Sequence, residues 1–179
     1  MAENLKTTKY RNGDLIGTTS SPTLNIVNEA TTAKYQWVYE GNENNVAVYG
    51  RLYTWYAVTD SRTICPVGWH IPSESEWLTL TDFLAPDNVV GGKMKETGTA
   101  HWSSPNEGAT NETGFTALPG GYRNNDGSFD GIGYAGYWWS ATEDFANNAL
   151  SRVIQWINSN MSRNTEDKGY GFSVRCVRD

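Results

Sequence analysis

The run Cys65-Pro-Val-Gly-Trp-His-Ile-Pro-Ser73-Glu-Ser-Glu76-Trp77 constrains this chain more than any other stretch. Ser73 and Glu76 stand in the S-x-x-E spacing of a capping box, in which each side chain satisfies the other's orphan backbone N–H at a helix start. Pro72 stops the helix from beginning earlier. Trp77, Leu80 and Leu84 then fall on one face, so the spacing predicts a helix from about Glu74 to Leu84. Other helical signals are shorter. Tyr49, Leu52, Trp55 and Tyr56 suggest an amphipathic helix within Val46–Val58, with a strand as the alternative, and Gly92–Glu96 offers a second short piece.

Residues 1–45 read as irregular with short β segments, marked by turn signals at Asn12-Gly13 and Gly41-Asn42. From Thr99 onward the chain is built of turns and rings. Asn125-Asp126-Gly127 between Tyr122 and Phe129 predicts a hairpin. Two strands follow, Ala149–Trp156 and Met161–Asn164, joined by a turn at Asn158-Ser159-Asn160. In the last segment, Tyr170–Arg178, Phe172, Val174 and Cys176 alternate with Ser173, Arg175 and Val177, as in a half-buried strand. Helices early and strands late predict one α+β domain over residues 1–179.

The chain is poor in aliphatic residues yet carries 8 Trp and 10 Tyr. Its core must come from a few large rings, each able to remove roughly 150–250 Å² from water. Trp69, Trp77, Trp102, Trp138 and Trp139 are read as core residues, although Trp138 and Trp139 would also suit a platform for a sugar ring. A formal charge of −6 argues against nucleic acid as the partner. No apolar run is long enough to span a membrane, so direct insertion is not expected. Cys65 and Cys176 lack the spacing of a zinc site and His70 and His101 stand apart. A long-range disulfide is the expectation, two buried thiols the alternative. If bonded, the pair would contribute about 3–5 kcal/mol.

Five ordered segments resemble a known family: Gly50–Val58 (GRLYTWYAV), Cys65–Ser73 (CPVGWHIPS), Gly114–Arg123 (GFTALPGGYR), Gly136–Thr142 (GYWWSAT) and Gly171–Asp179 (GFSVRCVRD). They are similar to the Fibrobacter succinogenes major paralogous domain, and Met1–Tyr10 resembles how such domains begin. Members are common in Bacteroidetes-type bacteria and are often exported or lipid-anchored. The resemblance therefore implies an extracytoplasmic place, on the cell surface or secreted, with any export signal or anchor outside these residues. The family in turn is similar to the C-type-lectin-like superfamily and its formylglycine-generating branch, through Trp69–Trp77 and Gly171–Arg175. That implies a C-type-lectin-like fold: a small twisted antiparallel sheet, two helices, long irregular loops and termini close together.

Proteins of this fold are commonly diversified near the C-terminus by diversity-generating retroelements, which alter adenine-rich codons such as those for Asn. The stretch 144–170 carries Asn147, Asn148, Asn158, Asn160 and Asn164. Ala149, Arg152 and Ile154 match framework positions of the family's pattern, and Leu150 departs from its aromatic. The alternate positions Ser151, Val153, Gln155, Ser162, Asn164 and Glu166 would then share one exposed face, with Phe145, Trp156 and Tyr170 as aromatic anchors of a kind that dominates interfaces.

The resemblance thus implies a non-enzymatic module, without cofactor or metal, that binds a protein or glycan ligand and is a candidate retroelement variable protein. The alternative is a carbohydrate-binding or adhesion domain of a surface lipoprotein without diversification. An enzyme of the formylglycine-generating type is disfavoured, because neither cysteine matches that branch's active-site pair and no nucleophile–base motif stands out. Asn124–Asp130 offers oxygen ligands but lacks a calcium loop's closing Glu and is read as a turn. His70 and His101 are read as ordinary polar residues, and Arg123 and Arg152 as partners of carboxylates that shape loops.

Overall fold

A computed structural model describes residues 3–29, 33–85 and 87–179. Met1 and Ala2, part of the N-terminal resemblance, lie outside the described residues. The capping-box helix, α3, spans Glu74–Leu84, with both reciprocal bonds between Ser73 and Glu76 in place. Its buried residues are Trp77 and Leu84.

The expected helix across Val46–Val58 is broken in two. Helix α1 (Asn44–Tyr49) ends at Gly50, whose φ of +76° a side chain would resist. Leu52–Tyr53 then forms strand β2, antiparallel to β1 (Gln36–Trp37). Helix α2 (Trp55–Val58) restarts under the Thr54 side chain, which accepts from Ala57 N. The pull of strand pairing and core burial at Leu52 and Tyr53 overrides the helical spacing. The second short piece is α4, Val90–Met94.

The main sheet has five strands in the order β5-β4-β6-β7-β8. They are β4 (Gly120–Arg123), β5 (Phe129–Ile132), β6 (Ala135–Phe145), β7 (Asn148–Gln155) and β8 (Met161–Asp167). The β4–β5 hairpin turns where Asp-Gly predicts it. Gly127 has φ of +96°, and a Cβ there would sit 2.1 Å from the Thr23 carbonyl oxygen. The turn therefore both needs a left-handed residue and presses on the N-terminal segment. The sheet is mixed, not purely antiparallel as expected, because β4 meets β6 in parallel at Gly121 and Gly136. Irregular register between Trp139 and Phe145 curls β6 against β7.

Trp138 and Trp139 point to opposite faces of β6, as a strand's period of two requires, and both are fully buried. Trp139 joins Tyr53, Val174, Cys176 and Phe172 in one core, whereas Trp138 joins Trp77, Met94, Trp102 and Ile154 in the other. Both indoles find acceptors: Trp138 donates to Asn4 Oδ1 at 2.9 Å and Trp139 to the Tyr53 carbonyl at 2.7 Å. Ring burial therefore leaves neither donor stranded. Gly136 makes room for the arrangement, since a Cβ there would lie 2.3 Å from the Trp138 ring. These rings fill the core, as read from the composition.

The closing segment departs from simple alternation. Only β9 (Val177–Arg178) forms a regular pair, antiparallel to β3 (Trp69–His70). Residues 171–173 thread between Tyr53, Arg123 and Trp138 through single bridges, and everything from Gly171 to Cys176 is buried. A chain enclosed on all sides has no solvent face for alternate residues to occupy. Leu5 N donates to the Val174 carbonyl at 2.8 Å, which brings the two ends of the chain together. Cys65 and Cys176 form the expected disulfide, 111 residues apart in sequence. No helix among the described residues is long and apolar enough to cross a membrane.

Candidate functional site

The structure divides the residues singled out in 144–170. Ser151 and Val153 are 1% and 3% exposed, so the expectation of an exposed face through them is corrected. They lie in β7, flanked on both sides by β6 and β8, and the strand is buried without a break from Ala149 to Ile154. Both faces of this part of the sheet are covered, which removes the solvent side that alternation assumes. Gln155 is exposed, and Trp156 packs its ring edge against Tyr134 (5.7 Å between centroids) at the margin of the Trp138 core. Phe145 is 67% exposed at the end of β6, beside the turn into β7. Ser162 is exposed on the outermost strand.

Asn164, Glu166 and Tyr170 belong together. Glu166 and Tyr170 line a pocket of about 220 Å³ with Tyr122, Asn124, Tyr137 and Phe172. Asn164 donates to Glu166 Oε1 at 3.2 Å. Phe172 is the pivot of the rings: Tyr137 stacks on it at 5.0 Å, and Tyr122 and Tyr170 meet it edge-on at 6.2 and 6.1 Å. Tyr122 and Tyr137 touch at 4.7 Å. Burial pushes the Glu166 carboxyl up, against the smaller opposite pull of the Asn164 amide. The same cause raises Tyr122 and Tyr170, and lifts the Tyr137 phenol to about 12. The walls are a rigid aromatic wedge with one carboxylate set into it.

The sequence reading gives Tyr122, Tyr137 and Phe172 no binding role and takes Asn124 as part of a turn. A signal was present in the sequence. Tyr122 and Asn124 immediately precede the Asp-Gly turn, and Tyr137 is the one tyrosine beside the paired tryptophans. A ring with a polar tip so placed marks where an aromatic core reaches water.

The remaining polar residues have structural partners. Arg152 pairs with Glu74 at 2.7 Å, as expected, and Arg163 reaches the same oxygen at 3.1 Å. Arg123 pairs with no carboxylate among the described residues. It donates to the carbonyls of Pro22, Leu24 and Asn124 and lies 4.0 Å over the Trp37 ring. Burial lowers it to about 10. It shapes loops, but through neutral oxygens. In Asn124–Asp130, Asp126 Oδ1 accepts from Ser128 N and Oγ, the bonding of a turn. His101 contacts Glu96 at 2.8 Å.

His70 bridges Glu76 and Asp179, both at 2.6 Å, and these carboxylates raise its pKa. A raised folded-state pKa makes the imidazolium stabilising below the ordinary value of 6.5, and that stability is lost as pH rises through the shifted value. His70 is partly exposed, so the effect should stay below about 1 kcal/mol. Thermal melts of the wild type should show a small loss of stability with rising pH across this window. His70→Asn should flatten that slope. A slope unchanged by the substitution would assign it to other groups.

The fold and site define a disulfide-closed α+β domain with an aromatic pocket between its curled sheet and the closing segment. The chain matches the Fibrobacter succinogenes major domain over residues 1–178 and belongs to that family. No curated protein matches the chain. No solved structure matches it either.

Proposed function

We propose that this chain is a non-enzymatic ligand-binding domain of C-type-lectin-like fold that works outside the cytoplasm, and that the pocket of Tyr122, Tyr137, Glu166 and Tyr170 is its contact site. The observation that carries this reading is the pocket itself, in which a half-buried carboxylate and three phenols converge on open space. Convergent polar groups set into an apolar recess are the usual makings of a ligand site. The fold assignment is supported by the adjacent chain ends, the long helix α3 and the irregular run from 96 to 119 between α4 and β4. The buried disulfide suits an oxidising compartment. It also ties up both cysteines, which speaks against thiol chemistry of the formylglycine-generating kind.

Protein and glycan ligands are both within this reading. If the segment is retroelement-diversified, exchange is tolerable at exposed Gln155, Ser162 and Thr165 but not at buried Ser151 and Val153. A near-identical repeat in the genome, differing only at adenines and beside a reverse transcriptase gene, would establish diversification; its absence would remove that part alone. The binding site is tested on glycan and peptide arrays with wild type and Tyr170→Ala. Retained folding with lost array binding is expected. Array binding indifferent to Tyr170→Ala and to Glu166→Gln would move the site elsewhere.

A further inference from the structure

The pocket's chemistry is one-sided. The Glu166 carboxylate accepts a single bond, from Asn164. No Lys, Arg or His among the described residues pairs with it; the nearest basic residues in sequence, Arg163 and Lys168, are held by Glu74 and Glu143. Asn164 spends one N–H on Glu166 and Asn124 one on Ser128 Oγ at 2.9 Å, and the other donors facing the pocket are the neutral hydroxyls of its three phenols. The pocket's one formal charge is therefore a carboxylate with acceptor capacity to spare on its two oxygens, among phenol rings whose faces and oxygens attract positive charge.

We propose that the pocket selects a cationic group, an ammonium or guanidinium of the kind borne by a lysine or arginine side chain. This rests on the ligand-binding reading of the site and names its ligand class. A cation brings a charged donor to the carboxylate and removes the cost of a half-buried unpaired charge. A neutral sugar could bond to the phenol hydroxyls but brings no positive charge to offset that of the carboxylate. At about 220 Å³ the recess lies below the ~300 Å³ lower end of small-molecule sites. It fits the head of one side chain rather than an extended ligand. The chain's charge of −6 favours the approach of such a partner at low salt.

The test is a nuclear magnetic resonance titration with N-acetyl-lysine methylamide, N-acetyl-arginine methylamide, the uncharged N-acetyl-norleucine methylamide and methyl glucoside. With wild type, a cationic probe should shift the amides of Tyr122, Glu166 and Tyr170, and the neutral probes should not. Glu166→Gln keeps the shape and removes the charge. It should weaken the cationic probe by about tenfold or more, with a melting temperature no lower than wild type. Neutral probes that shift the same amides as strongly, unaffected by Glu166→Gln, would overturn the cation assignment and leave the pocket as a site. If no probe shifts these amides, both the assignment and the site fall.

Discussion

Replacing both cysteines, as Cys65→Ser with Cys176→Ser, should lower unfolding free energy by about 3–5 kcal/mol, measured by urea denaturation under matched conditions. The bond closes a loop of sequence separation 111, so the unfolded chain gains much freedom when it is cut. It also joins the segment leading into α3 to the closing segment, and Cys176 is fully buried. Two polar hydroxyls in that core add to the loss. The same junction carries other ties. Arg11 donates to the carbonyls of Cys65, Pro66 and Trp69, and β3 pairs with β9. A change under about 1 kcal/mol would mean that these ties, not the disulfide, hold the junction. Array binding retained by the folded double variant is the outcome the non-enzymatic reading expects.

Arg175→Met should destabilise the fold by about 3 kcal/mol or more, since bonds from a charged donor contribute roughly 1.5–3 kcal/mol each and orphaned acceptors add to the cost. Arg175 is 3% exposed, and no carboxylate among the described residues pairs with it. Its guanidinium donates to Asn4 Oδ1 at 2.9 Å, the Phe115 carbonyl and the Thr116 carbonyl at 3.0 Å, and stacks 3.9 Å over the Phe115 ring. Burial lowers its pKa to about 10, opposed weakly by Glu3. One side chain thus ties the N-terminal segment and the long irregular run to the closing segment. Methionine fills much of the volume but leaves the Phe115 and Thr116 carbonyls without this donor. Asn4 Oδ1 keeps its bond from Trp138. Arg175→Lys should recover part of the loss, because an ammonium can reach one or two of these oxygens but cannot reproduce the planar fork. Equal losses in both variants would show that packing on Phe115, not the fork, dominates.

The contrast between α3 and Arg175 shows what the sequence makes legible. Helix α3 is set by contacts within four residues: a proline, a capping box and three apolar side chains on one face. Local chemistry of that kind survives folding unchanged, as does the Asp-Gly hairpin. Arg175, Ser151 and Val153 are set by what arrives from elsewhere. Period-two alternation assigns them to solvent, but Ser151 and Val153 lie opposite Trp139 and Tyr137 of the Phe172 core, and Phe115 at the margin of the Trp138 core covers Arg175. The break at Gly50 has the same origin, since β2 exists only because Gln36–Trp37 lies beside it.

The pocket was half legible for the same reason. Asn164, Glu166 and Tyr170 lie close in sequence and stand out as a polar, aromatic stretch. Tyr122 and Tyr137 reach them only through the order β4-β6-β7-β8 and the wedge of Phe172. No spacing rule joins residues 122 and 166.

Ligand is expected to meet this chain at the pocket that Tyr122, Tyr137, Glu166 and Tyr170 line. Amide hydrogen exchange of the protein, free and bound to a ligand selected on the arrays, tests it most directly. The expected result is slowed exchange in β4 around Tyr122 and in the run from Asn164 to Phe172, with α3 and α4 unchanged. Protection centred on α3 or α4, with the Tyr122, Glu166 and Tyr170 amides unaffected, would contradict it.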